Sequence, residues 1–298
     1  MSDRPEPGQC VELASMVRRI LAPNPSPMTF WGTNTYLVGD ATLAVIDPGP
    51  DDTRHLAAIL SAIGGAAVSH ILITHAHRDH SPGAAALSAE TGAPIYGFGP
   101  PDAGRTPVMQ DLAARGLAGG GEGVDMGFAP DVTLADGAQI SSPDWRMTTL
   151  HTPGHFAGHL SFALDDLIFT GDHVMGWAST LISPPDGDVA AFLSSCDVLA
   201  ARKARRFFPG HGAPVDDPAP RLDWLVAHRK DREAQILDAL HDGPADAATL
   251  AAKLYTDTPA SLMPAAARNV LAHLIDLTER RIVSPDPDLR AEAVFTRA

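Results

Sequence analysis

One six-residue run, His75-Ala-His77-Arg-Asp79-His80, places four metal-binding side chains in a very short stretch of chain. Imidazole nitrogens and carboxylate oxygens at this density suit divalent cations. So short a segment can aim His75 and His77 one way and Asp79 and His80 the other, which predicts two adjacent ions rather than one. Two ions need further ligands, and three more segments offer them. They are His155 in Thr152-Pro-Gly-His-Phe156, Asp172 in Phe169-Thr-Gly-Asp172, and His211 in Phe208-Pro-Gly-His-Gly212. Five imidazoles and two carboxylates with no thiolate favour zinc, and the same set accommodates manganese or iron.

Each of these segments follows an apolar run of β type. His70 to Thr74 precedes the first, a strand ending near Leu150 precedes His155, Leu167 to Phe169 precedes Asp172, and Arg206 to Phe208 precedes His211. In the last three a glycine lets the backbone turn sharply before the ligand. Ligands on loops held by rigid strands make a preorganised site. From residue 34 to 212 the chain alternates such strands with helical patterns, the signature of an α/β fold. Thr35–Val38 and Leu43–Ile46 read as a hairpin. Leu56, Ile59, Leu60 and Ile63 fall at helical spacing, closed by Gly64-Gly65. A helix over Ala84–Thr91, strands at Pro94–Tyr96 and Leu160–Leu164, and a helix starting near Asp188 follow. The glycine-rich stretch from Gly116 lacks a following Gly-Lys-Ser/Thr and is therefore a loop without a phosphate-binding function.

Beyond Pro214 the pattern changes. Asp216-Asp-Pro-Ala-Pro220 has the composition of a linker. Residues 221–298 then read as three helices and a hairpin. The first helix runs from Arg221 to His241, Asp246 caps the second, and Pro264 sits in the first turn of the third. The hairpin joins Ile282-Val283 to Ala293–Phe295 through a turn at Pro285-Asp-Pro287. This is a winged-helix pattern, so the expected division is a domain over residues 1–218 and a second, α+β, over 219–298.

Composition narrows the partners. The chain has 298 residues and a net charge of −14, which argues against broad binding to nucleic acid or an anionic membrane. Residues 219–298 carry 10 basic and 12 acidic side chains, against 12 and 24 in residues 1–218. The positive groups of the second region concentrate at Arg229-Lys-Asp-Arg232 and Arg280-Arg281, thin for a backbone-binding surface. Cys10 and Cys196 are expected to be unpaired thiols in a reducing compartment. A polar, acidic N-terminus without an apolar core predicts no signal peptide. No apolar run reaches membrane-spanning length. Together these predict a cytoplasmic location.

The ligand segments resemble those of the metallo-β-lactamase superfamily. The resemblance implies an αββα sandwich with a dinuclear site between its two sheets, here with the winged helix appended. It places His75, His77 and His155 at the first metal, Asp79, His80 and His211 at the second, and Asp172 between them. Asp47, in Ala44-Val-Ile-Asp-Pro-Gly49, matches a carboxylate that supports the ligands from behind. With two divalent ions about 3.5–4 Å apart, a bridging water is acidified from a pKa near 16 toward 7 and attacks a carbonyl or phosphoryl centre. Asp79 is the residue expected to shuttle the proton. His151 and His159 flank the third segment, and Trp31 and Trp177 lie on loops; His159 and Trp177 are the candidates to line a substrate pocket.

The chain is also similar to lactamase-beta-like hydrolases with a C-terminal winged helix, some of them endoribonucleases. That similarity rests on Gly32–Gly39, the Thr74–His80 run, and segments at His228–Glu233 and Tyr255–Pro259. The expected function is hydrolysis of a small ester, thioester or lactone, with a small molecule as partner. The alternative is cleavage of single-stranded RNA. A glyoxalase-type thioesterase shares all seven ligands but carries a different C-terminal domain, and β-lactamases themselves differ where this chain has Asp172. A non-hydrolytic iron oxygenase, or a regulator binding DNA through the winged helix, stands further back. A homodimer is compatible with all of these.

Overall fold

The computed structural model of the chain describes residues 4–120 and 123–298. The first three residues of the N-terminal segment read for a signal peptide, and Gly121 and Glu122 of the glycine-rich loop, lie outside the described residues.

The chain opens with β1 (Cys10–Ala14), β2 (Val17–Leu21), β3 (Asn34–Val38) and β4 (Thr42–Ile46), each antiparallel to the next. Helix α1 (Thr53–Ile63) leads to β5 (Ala67–Leu72), α2 (Gly83–Thr91) to β6 (Ile95–Gly97), and α3 (Pro107–Ala114) to β7 (Val132–Thr133); β4 to β7 pair in parallel. A second sheet holds β8 (Gln139–Ser141), β9 (Arg146–His151), β10 (Leu160–Leu164) and β11 (Leu167–Gly171), all antiparallel. Helix α4 (Val189–Ala201) then crosses to β12 (Arg206–Pro209), parallel to β11. Helices α5 (Pro218–Ala239), α6 (Ala247–Leu254) and α7 (Met263–Glu279) and the hairpin β13 (Val283–Asp286) and β14 (Val294–Arg297) complete the chain.

Strand periodicity explains the layering. Tyr36, Val38, Ala44, Ile46 and Leu72 of one sheet face Phe162, Leu167, Phe169 and Phe208 of the other. The residues between them point outward. Leu37, Val45 and Ile71 turn to Ile59 and Ile63 of α1 and Leu87 of α2. On the far side Ala163, Ile168 and Phe207 pack on Phe192, Cys196 and Leu199 of α4. Both faces of both sheets are therefore covered, which is why these strands read as nearly unbroken apolar runs. The result is the expected four-layer αββα sandwich. Local signals hold at the helix ends: Asp52, Asp188 and Asp246 each accept hydrogen bonds from first-turn amides of α1, α4 and α6.

A separate core, built from Ile236, Leu250, Val270, Leu274, Ile275 and Phe295, holds the three C-terminal helices against the hairpin. Helix α5 ties the two cores together, with Leu222 and Leu225 in the sandwich cluster and Ile236 and Ala239 in the C-terminal one.

The linker expectation is corrected. Pro218 and Pro220 lie in the first turn of α5, where a missing N–H costs nothing and the fixed φ suits the helix. The turn expected at Pro285–Pro287 is also displaced, because β13 continues to Asp286. Strands β1, β2, β7 and β8 and helix α3 are additional to the expected elements.

Candidate metal centre

All seven expected ligands meet where the two sheets are joined at their strand ends. Thr74, just past β5, accepts from Leu160 N at 2.7 Å, and the Gly210 carbonyl past β12 accepts from Asn34 N at 2.7 Å. The hydroxyl of Tyr36 donates to the carbonyl of Pro209 at 2.7 Å. Gly210 is required by close approach: a Cβ there would lie 2.3 Å from Asp172 Oδ1 and 2.7 Å from His80 Cε1.

The donors fall into two buried groups, His75 with His77 and His155, and Asp79 with His80, Asp172 and His211. In the first, His77 Nδ1 is 2.9 Å from His75 Nε2 and 3.1 Å from His155 Nε2. In the second, Asp79 Oδ2 is 3.1 Å from His211 Nε2 and 3.3 Å from His80 Nε2. Asp172 spans the two: its Oδ2 lies 3.2 Å from His211 Nε2 and 3.8 Å from His155 Nε2.

The far nitrogens decide what these imidazoles present to the centre. Thr74 Oγ1 donates to Asp47 Oδ2, so at 3.0 Å it must accept from His75 Nδ1. His80 Nδ1 donates to Asp47 Oδ2 at 2.8 Å, His155 Nδ1 to the Leu181 carbonyl at 2.7 Å, and His211 Nδ1 to the Gly32 carbonyl at 3.1 Å. All four therefore turn Nε2 inward, as ligating histidines do. His80 Nε2 and Asp172 Oδ1 are buried without a hydrogen-bond partner among the described residues. Orphaned donor atoms and converging lone pairs fit a pair of divalent cations. Asp47 sits at φ +49 on a tight turn after β4 and ties Thr74 to His80.

Protonation separates the groups. Burial, reinforced by His80 and His77, holds His75 well below its ordinary value. Burial and His155 take His77 down to about 3, and burial lowers His155 as well. In the second group burial opposes every charged form but is outweighed. Asp79, Asp172 and Asp47 raise His80 well above its usual range, and Asp172 and Asp79 lift His211 to about 10. Both carboxyls, paired with these imidazoles, are held well below theirs. Without a cation the second group is thus carboxylate–imidazolium, and a cation must displace the protons of His80 and His211. Metal binding at pH 7 is expected to release about two protons and to tighten as pH rises toward 10. Calorimetry in buffers of different ionisation heat measures the release; none released would contradict this assignment.

A cavity of about 220 Å³ opens beside the donors, lined by His77, Asp79, His155, Asp172 and His211. Its remaining wall is largely apolar, with Met28, Met175, Trp177 and Leu181 from loops of the sandwich and Tyr255, Leu262 and Ala266 from the C-terminal region; Ser179, Thr258 and Asn269 are its polar members. Trp177 therefore lines the cavity. His159 does not. It is fully buried, with Nδ1 2.9 Å from Thr152 Oγ1 and its ring beside those of His75 and His173. His151 is engaged by the Ala157 carbonyl and the Phe98 ring. Trp31 stacks on Phe30, which in turn stacks on Trp177. Sequence reasoning missed Thr74, Leu181 and Asn269. Thr74 had a signal, its position between strand and motif; the other two had none.

Comparison with known proteins agrees with this geometry. Residues 28–211 match the metallo-beta-lactamase superfamily, and residues 247–291 match the beta-lactamase-associated winged helix domain. The chain is 32% identical over 278 residues to the beta-lactamase-like protein 2 homolog of Drosophila melanogaster, covering 89% of this chain and 88% of the relative. The corresponding Caenorhabditis elegans protein is 28% identical over 279 residues, covering 91% and 87%. A metallo-beta-lactamase family protein from Thermus thermophilus superposes with a TM-score of 0.77 at 25% identity, covering 96% of this chain and all of that one.

Proposed function

The chain belongs to the metallo-beta-lactamase superfamily, and from that premise we propose that it hydrolyses a small, uncharged ester, thioester or lactone at a two-metal centre, with zinc the metal its donors favour. The observation that carries the reading is the cavity: largely apolar beyond the donors, with no Lys or Arg among the described residues of its wall. Away from the metal ions an anionic group would find no basic side chain to pair with, whereas an apolar acyl or aryl group gains from burial. Two divalent cations held by these ligands would acidify water and polarise the reacting carbonyl. The chain's residues supply the rest. Met28, Met175 and Leu262 exclude bulk water from the reacting bond. Asp79 lines the cavity and is held by the Thr33 hydroxyl at 3.3 Å and by His211; it is the carboxylate placed to pass a proton to the leaving group.

Nucleic acid fits less well. Of the cations that would grip a backbone, Arg229 is buried, Arg280 is held by Glu233 and Asp276, and Arg232 lies over the Tyr255 ring, which leaves Lys230 and Arg281 exposed. The third helix of the winged helix, α7, buries Ala266, Val270, Leu271, Ala272, His273, Leu274, Ile275 and Leu277. A helix packed on so many sides is not free to enter a DNA groove.

The test incubates metal-loaded protein with p-nitrophenyl butyrate, a butanoyl thioester and a single-stranded RNA oligomer in parallel. Turnover of the acyl substrates and intact RNA are expected, with the acyl rate falling about a thousandfold in His77→Ala. RNA cleavage abolished by the same substitution, with the acyl compounds untouched, would replace this reading by the nuclease one.

A further inference from the structure

Arg229 is the bulkiest fully buried side chain, 1% exposed, and forms no ion pair among the described residues. Its guanidinium donates to the Thr180 carbonyl and to Asn269 Oδ1, the latter at 3.2 Å, and lies 5.2 Å from the Phe192 ring. Asn269 Oδ1 accepts a second hydrogen bond, from Ile182 N at 3.0 Å. With two donors on that atom the amide can point only one way, since the reverse would set its NH2 against two N–H groups. The Nδ2 end therefore faces away from both. Its acceptor within the chain is the Ala265 carbonyl, one helical turn back and 3.4 Å away. That contact is long and uses one of two N–H bonds. The side chain lies on the cavity wall.

The same group touches the metal donors through one peptide unit. The N–H of Ile182 goes to Asn269, and the carbonyl of that peptide, Leu181 O, receives His155 Nδ1 at 2.7 Å. Asn269 is thus fixed relative to a ligand and lines the space where substrate would sit.

We propose that Asn269 is a substrate-binding residue whose Nδ2–H donates to an oxygen of the bound ester, thioester or lactone, with Arg229 holding and polarising the amide. This rests on the acyl-hydrolase reading above. An uncompensated buried cation is costly; here it sharpens a neutral donor, because a hydrogen bond into the amide oxygen polarises the N–H groups on the other side and makes them stronger donors. In a largely apolar cavity an oriented neutral donor favours a carbonyl-type oxygen without selecting charge.

The test is Asn269→Asp in the full-length, metal-loaded protein. This change keeps an oxygen facing Ile182 and Arg229 and replaces the donor with an acceptor. Two measurements are made, kcat/KM on p-nitrophenyl butyrate and calorimetric binding of acetophenone, an uncleavable uncharged ketone. Expected are a ten- to hundredfold fall in kcat/KM and ketone binding weakened about tenfold, with metal content and melting temperature at or above wild type. Wild-type kinetics and ketone affinity in the variant overturn the proposal. So does loss of metal or of melting temperature alongside activity, which would make the residue structural. A wild-type protein that turns over no acyl substrate but binds the ketone through Asn269 leaves the donor in place and removes the reaction. One that does not bind the ketone at millimolar concentration overturns the assignment.

Discussion

Asp172→Ala is expected to lower the metal content from two ions to about one and kcat/KM by about a thousandfold or more. Asp172 is the carboxylate that reaches both donor groups, with Oδ2 3.2 Å from His211 Nε2 and 3.8 Å from His155 Nε2, and Oδ1 3.4 Å from His80 Nε2. Its removal leaves the first group as three neutral imidazoles and the second with Asp79 as its one carboxylate. Two divalent cations carry four positive charges against the two negative ones of Asp79 and Asp172. Deleting one carboxylate leaves a still larger surplus in a buried site, which low local polarisability does not tolerate. The second ion is the one lost, and the reaction depends on both. Asp172→Asn keeps the shape and the Thr180 contacts to the backbone carbonyls of Asp172 and His173. It is expected to lose metal and rate to a similar degree, which separates charge from packing. Elemental analysis and steady-state kinetics on the folded variants check this; two bound ions, or activity within tenfold of wild type, would contradict it.

Arg229→Ala is expected to destabilise the metal-free protein by about 2–4 kcal/mol. The truncation opens a cavity between α4, α5 and α7, and leaves the Thr180 carbonyl without its guanidinium donor. Burial already pushes the Arg229 pKa down to about 10, so the charge itself is held at a cost. Arg229→Met fills much of the volume without burying charge and is therefore expected to recover at least half of that loss. Urea unfolding at neutral pH measures both. A loss below about 0.5 kcal/mol in the alanine variant would mean that α5 and α7 are anchored by their apolar contacts alone. Both variants are expected to weaken kcat/KM, because the guanidinium orients Asn269 and anchors the loop that carries Leu181.

The seven ligands were legible because each stands beside a local signal, an apolar strand or a glycine that lets the chain turn. The facing of side chains follows from the pleat, Tyr36 and Val38 toward the other sheet and Leu37 toward α1 and α2, whereas the strand order does not. Strands β1 and β2 were hidden because their polar residues do not alternate cleanly: Arg18 and Arg19 are adjacent, and Arg19 is buried. Composition misled at Pro218 and Pro220, because proline signals a linker and a helix start alike. Proximity in sequence misled at His159, four residues past His155. The chain there is not helical, so four residues on is not the same face, and the ring is buried behind His75 rather than facing the cavity.

Charge counting failed in the same way at Arg229. In the sequence it is one of a cluster of cations on a helix; in the molecule it is enclosed by Phe192, Thr180 and Asn269. What the sequence indicated by itself was a metal-binding cluster, because seven His and Asp side chains follow apolar strands or sharp turns in the expected order. Only the tertiary structure decided the shape and lining of the space beside that cluster. The wall opposite the ligands comes from Tyr255, Leu262 and Asn269, distant in the chain from the His75–His80 run, and is set by how α5 and α7 pack on α4. Burial and contact between distant segments are properties of that packing, and no local pattern of residues encodes them.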